Sequence, residues 1–316
     1  MPAGCPAQGC PVQKSISGRF KQAELKCGEA GHVEADGVNI SEAASTSFAI
    51  KRVRGGTSIK SVSGPMNGQH VRDLAWEPQR HAGHQVGDEY TFDVSADGVS
   101  APSSNKFKFK DFPDYGPETK TFACSSGIYG WTGKFDIKYS ADKITVTVKI
   151  KLQNRLGGKP ATEAAAKPAI GPAVSDEDKT TMKADIEGKL SEIASLYRKN
   201  CVFAEGCSCP KLIYIVVEFV ESGEHHVVDL YTGAGRANSG SWCRIKTRDN
   251  TYAHEVGHLL AFYDEYTGGA VGSAPRWKPN EPANIMNVGL TFPAEYSWDF
   301  RDWFAAKTGE EWTAKA

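Results

Sequence analysis

His254, Glu255 and His258 stand in the pattern H-E-x-x-H, and six residues later comes Asp264, so the stretch reads H-E-x-x-H-x-x-A-x-x-D. On a helix, positions i and i+4 lie about 40° apart, so the two imidazoles share one face. Two imidazoles so placed can hold one zinc ion, and Glu255 stands beside them to take a proton from water. A third ligand leaves one position open for water and substrate, and Asp264 is the first candidate. It cannot get there on an unbroken helix, because six residues rotate the chain by roughly 600°, to the far side. The spacing therefore predicts a turn near Ala261 that swings Asp264 back, and Thr267-Gly268-Gly269 predicts that the helix has ended soon after.

This pattern resembles the metzincin zinc peptidases, whose motif is H-E-x-x-H-x-x-G-x-x-H/D; the aspartate variant resembles their snapalysin group. Asn284-Ile285-Met286-Asn287, 22 residues beyond Asp264, has the character of the methionine turn that this family places under the metal. The resemblance implies a zincin/metzincin-like catalytic domain with a mixed sheet, an active-site helix and a C-terminal helix. It implies zinc held by His254, His258 and Asp264, with Glu255 as the catalytic base. Two positions depart from the family. Ala261 replaces the glycine of the turn, at a cost on the order of 1 kcal/mol for a left-handed alanine. Val288, two residues after Met286, stands where some metzincins carry a tyrosine, so transition-state help from that position is not expected. Glu295 is the competing third ligand, since Glu295-Tyr296-Ser297-Trp298-Asp299 resembles the second-helix motif of thermolysin-like enzymes.

The elements that must position these residues can be read around them. Residues 143–152 alternate strictly, with Ile144, Val146, Val148, Ile150 and Leu152 on one face. They predict a hairpin with residues 131–139 about Ser140-Ala141-Asp142. Ser175, followed by Asp176-Glu177-Asp178, caps a predicted helix whose apolar stripe is Met182, Ile186, Leu190, Ile193, Leu196 and Tyr197. Residues 212–220 read as a central strand and 226–231 as the next, with His225-His226 as surface histidines at its start. Residues 233–244 are expected to form either an antiparallel edge strand lining the cleft, which could take an extended substrate by strand addition, or a plain connection. Asp249-Asn250 is expected to cap the metal helix. Phe300, Trp303 and Phe304 predict a packed C-terminal helix.

Upstream, residues 48–54, 90–94 and 107–110 alternate between turns at Gly55-Gly56, Asn67-Gly68 and Asp97-Gly98, which predicts a small sandwich. The expected class is thus α+β: a small all-β domain over residues 1–118, then the metallopeptidase domain over 119–316. A Pro-, Ala- and Gly-rich insertion at 153–174 is expected to be flexible or extended. His70, His81 and His84 are read as loop or surface histidines.

At 316 residues the chain has room for two cores. Its net charge of −1 argues against nucleic acid or an anionic membrane as partner, and it has no apolar run of transmembrane length. Eight cysteines point to an oxidising destination, with Cys201, Cys207, Cys209 and Cys243 able to form two bridges and Cys5 and Cys10 able to close a small loop. The first residues lack a basic and then apolar leader, so the expected route is export without a classical signal peptide, or else retention in the cytoplasm.

These readings together predict a zinc-dependent endopeptidase acting on a protein or peptide. Peptidoglycan cross-bridge peptides offer the same amide, and an inert zincin-fold adhesion protein is the non-catalytic alternative. The architecture loosely resembles bacterial metallopeptidase toxins carried by type VI-like secretion, which would make a secretion-machine component or an immunity protein the partner.

Overall fold

Alternating apolar residues build the first unit. The computed structural model describes residues 13–25, 29, 31–41, 44–66, 70–76, 87–110, 112–162, 165–192, 194–199 and 210–316. These fall into two compact units that meet in sequence at Phe112 and Pro113. In the first, one sheet holds β1 (Ser15–Phe20), β3 (Gly31–Val38) and β6 (His70–Trp76). The other holds β2 (Glu24–Leu25), β4 (Ser45–Arg52), β5 (Ser58–Pro65), β7 (Glu89–Ala96), β8 (Val99–Pro102) and β9 (Phe107–Phe109). Phe20 and Val33 of the first sheet share one core with Phe48, Phe92 and Phe107 of the second. The Phe20 and Phe92 rings meet edge to face at 4.8 Å. The all-β character read from the alternation therefore holds. Asn67, His81, His84, Cys5, Cys10, Cys27, Cys201, Cys207 and Cys209 lie outside the described residues, as does the side chain of His70.

The second unit is mixed α+β. Its sheet runs β10 (Tyr115–Ser126), β11 (Tyr129–Ser140), β12 (Lys143–Arg155), β14 (Lys211–Phe219), β13 (Ser195–Arg198) and β17 (Trp312–Lys315). The predicted hairpin is β11–β12, closed by Ala141 and Asp142 with φ of 49° and 65°. That pair of positive φ values matches the twist of the flanking strands. Strand β14 pairs in parallel with β12 and is buried on alternate residues from Lys211 to Val217. Past Ile150, β12 takes β15 (His226–Ala234) as a parallel neighbour.

Three local expectations, on α1, on His225-His226 and on Cys243, need correction. The helix α1 (Asp176–Leu190), capped by the Ser175 hydroxyl as expected, stops before the end of its apolar stripe. Ser191 exchanges hydrogen bonds with the Ile215 backbone, Glu192 turns at φ 61°, and Leu196 and Tyr197 belong to β13. A serine that bonds backbone outside the helix competes with the helical ladder, and the edge of β14 gains a partner. The segment after β12 is tied down along part of its length. Leu156 N–H bonds Ala169 O, Gly171 N–H bonds Asn154 O, and the Asn154 amide donates to Pro172 O. His225 and His226 are built into the sheet. His225 Nδ1 accepts from Lys149 N–H and its Nε2 lies 3.3 Å from Asp136, while His226 Nε2 reaches Lys134 O at 2.8 Å. Burial lowers the proton affinity of both rings. Finally, Cys243 is a free, buried thiol, as is Cys124, so Cys243 takes no part in a bridge.

No helix among the described residues is long and apolar enough to cross a membrane. The helix α3 (Trp298–Thr308) buries Phe300, Trp303 and Phe304, the three residues read as its core face. Phe300 packs edge-on against Phe135 of β11.

Candidate metal centre

The helix α2 (Thr251–Leu259) is buried at every position, His254, Glu255 and His258 included. A helix of 9 residues is marginal alone and is held by its tertiary contacts. Its start departs from the sequence reading. The Asn250 side chain makes no capping bond; its amide donates to Gly289 O at 2.9 Å and lies within 3.4 Å of Ile285 O and Asn287 O. It ties the helix to the Asn284–Asn287 turn, and Thr251 bonds Arg248 O instead.

The end of α2 meets the geometric requirement set by the spacing. Ala261 has φ 70°, and Phe262 N–H reaches back to Gly257 O at 2.9 Å, the six-to-one bond of a left-handed helix terminus. Gly133 of β11 packs on this turn, where an added Cβ would lie 2.6 Å from Ala261 N. The chain then doubles back. Asp264 N–H bonds Ala270 O, and Asp264 Oδ2 accepts from Ala270 N–H at 2.7 Å. That bond leaves Asp264 Oδ1 facing the helix, 3.1 Å from His254 Nε2 and 3.3 Å from His258 Nε2.

Each imidazole is oriented by its other nitrogen. His254 Nδ1 lies 2.9 Å from Ile285 O, and His258 Nδ1 lies 2.9 Å from Phe262 O. A carbonyl can only accept, so each Nδ1 carries the proton and a neutral ring turns its Nε2 lone pair inward. Two lone pairs and a carboxylate oxygen thus converge, and Asp264 Oδ1 is buried with no hydrogen-bond partner among the described residues. Three acceptors within 4.8 Å of one another repel unless a cation lies among them. The donor set, two nitrogens and one oxygen with both rings braced by carbonyls, suits zinc.

Glu255 is 6% exposed, and its Oε2 has no hydrogen-bond partner among the described residues. Burial, opposed by His254, pushes its carboxyl up to about 7. A carboxylate of that proton affinity is matched to general-base work near neutrality. Beneath the helix lies Met286, fully buried; a Cβ built on Gly257 would stand 2.3 Å from its sulfur. Gly257→Ala is therefore expected to cost about 1–3 kcal/mol by overpacking, read as a lower urea midpoint. Helix propensity alone would give the opposite sign by about 1 kcal/mol, so a more stable alanine variant would contradict this packing.

Glu295 is not brought to the site. It sits in the 3-10 turn Ala294–Ser297 and pairs with Lys278 at 2.8 Å, which holds its carboxyl below the usual range. Among the described residues the grouping able to hold a metal is His254, His258 and Asp264. Val288 is about half exposed.

Several residues at the site carried no usable signal in the sequence. Trp131 of β11 donates to His258 O at 3.0 Å and packs edge-on against the His258 ring. Tyr266, which the sequence reading gave no role, lies beside the His254 ring at 6.2 Å and accepts a hydrogen bond from Arg236 at 3.1 Å. The site opens into a cleft of about 1070 Å3 walled by Tyr129 to Trp131 and by the loop after β15. That loop leads to β16 (Ser241–Ile245), which pairs with β15 in parallel and not antiparallel. Asn238 and Ser241 bond each other's backbone, so the chain folds back and restarts beside Asp229 in its original direction. The chain matches no family model and no curated protein.

Proposed function

We propose that this chain is a zinc-dependent endopeptidase with a metzincin-like catalytic unit. The observation that carries the reading is the convergence of His254 Nε2, His258 Nε2 and Asp264 Oδ1, with the buried Glu255 carboxylate beside them at the floor of an open cleft. A zinc ion held by the three would supply Lewis acidity, acidifying water and polarising the scissile carbonyl. Ile285 O and Phe262 O fix the two rings, and Ala270 N–H fixes the carboxylate, so the ligand atoms are oriented before any ion arrives. Glu255 accepts the proton of the attacking water and returns it to the leaving amine. The cleft, open at the surface, accommodates an extended chain, and an amide in a protein or in a peptidoglycan cross-bridge meets the same groups.

Asp264→Ala is expected to lower zinc affinity by more than the roughly 10- to 100-fold that loss of an outer partner costs. Hydrolysis of an unfolded protein substrate falls with it, while Glu295→Ala leaves both unchanged. Isothermal zinc titration and a cleavage assay on the same preparations read the two effects. Zinc affinity lost in Glu295→Ala and kept in Asp264→Ala would overturn the assignment.

A further inference from the structure

The charge around the site is lopsided once the proposed ligands are set aside. Among the described residues, the acidic ones lining the main cleft are Asp229, Glu255 and Asp264. Asp229 is already neutralised, with Arg155 Nε at 2.7 Å and Lys167 Nζ at 2.6 Å. Asp264 faces the two histidines. The cleft is also lined by Lys159 and Arg236, whose charges both act on Glu255. A second cavity of about 410 Å3 adjoins the first and contains Arg236 and Arg248 against Glu255, its one acid among the described residues.

Arg236, His254, Glu255 and Tyr266 line both cavities, so they form the wall between them. Arg236 is exposed and makes no ion pair among the described residues; its guanidinium is steadied by the neutral Tyr266 hydroxyl at 3.1 Å. A guanidinium so held keeps donors to spare in a planar fork that matches a carboxylate.

We propose that the peptide bond cleaved here lies beside an aspartate or glutamate side chain of the substrate, which Arg236 binds. This rests on the peptidase reading above and adds the substrate class. The carboxylate belongs to an internal side chain and not to a chain terminus, because space continues on both sides of Arg236. Arg248 extends the same positive field into the second cavity, favouring acidic peptides over basic ones.

The test uses the full-length, zinc-loaded chain on a proteome-derived peptide library, with cleavage sites read by mass spectrometry. Sites should be enriched in Asp and Glu at one fixed position near the scissile bond, equally in peptides with free and with amidated C-termini. For a preferred peptide, replacing that acid by its amide should lower kcat/KM about 10- to 100-fold, the range for a charge-assisted hydrogen bond. Arg236→Gln, which can still donate to Tyr266, should abolish the difference between the two peptides, and Arg236→Lys should retain part of it. Binding of the same peptide pair to Glu255→Gln, followed by fluorescence anisotropy, should show the preference without turnover. Cleavage without acid enrichment, enrichment confined to free C-termini, or a preference unchanged in Arg236→Gln would each overturn the inference and leave the peptidase reading standing. No cleavage by the zinc-loaded wild type would overturn both.

Discussion

Glu255→Gln should yield a folded, zinc-loaded protein whose peptide hydrolysis is reduced by about 10²- to 10⁴-fold. The two side chains have the same shape, and among the described residues no bond on Glu255 must be broken by a glutamine: its Oε2 has no hydrogen-bond partner there. The proposed ligand atoms belong to His254, His258 and Asp264, so metal binding should not depend on this carboxylate. What the amide lacks is basicity. The carboxylate that burial raises to about 7 can take a proton from water and give it up again, whereas an amide can do neither. The loss reaches the upper end of the range because one group serves both transfers. Steady-state kinetics on a cleaved peptide, paired with zinc content and circular dichroism, separates this from misfolding. Retained turnover in a folded, zinc-loaded variant would remove Glu255 from the chemistry. Where the wild type harms a target cell, equal harm from Glu255→Gln would favour the inert-scaffold reading over the enzyme.

The second large effect is on the metal itself. Wild-type protein should bind about one zinc per chain, and zinc at about 1,000 times its Kd should raise stability by about 4 kcal/mol. For a unit of this size that corresponds to a rise in Tm on the order of 10 °C. His254→Ala combined with His258→Ala removes both nitrogens and leaves a lone carboxylate oxygen, so zinc content should fall to near zero and the thermal shift should vanish. The same double variant also relieves the repulsion among three buried acceptors, so its metal-free form should not be less stable than metal-free wild type by more than the lost packing. Near-stoichiometric zinc in the double variant would mean the ion sits elsewhere.

The parts of the site legible in the sequence are those fixed by helical geometry. The four-residue spacing places His254 and His258 on one face, and the wheel angle demands a break before Asp264. The break falls at Ala261, whose φ of 70° is the left-handed turn that the arithmetic required. Strict alternation likewise exposed β12, because that strand buries one face. Where alternation is weak the sequence is silent. Strand β10 lies at the edge of its sheet, buries only Cys124, and gave no period to read. The helical stripe through Leu196 and Tyr197 misled because apolar residues at three- and four-residue intervals continue past the helix end that Ser191 sets through backbone bonds to β14. Asn250 looked like a cap by type and position, yet its amide serves the turn around Met286, a contact 35 to 39 residues away. The Arg236–Tyr266 pair, 30 residues apart, carries no periodic signal at all. Long-range partners of polar side chains are set by the tertiary fold, and local spacing does not encode them.

The most direct test of the central claim is anomalous X-ray diffraction from zinc-loaded crystals, recorded on both sides of the zinc edge. The account predicts one strong peak about 2.0–2.2 Å from His254 Nε2, His258 Nε2 and Asp264 Oδ1 together, with Glu255 outside bonding distance. A peak ligated by Glu295, or no peak at these three atoms in a crystal that holds zinc elsewhere, would contradict it.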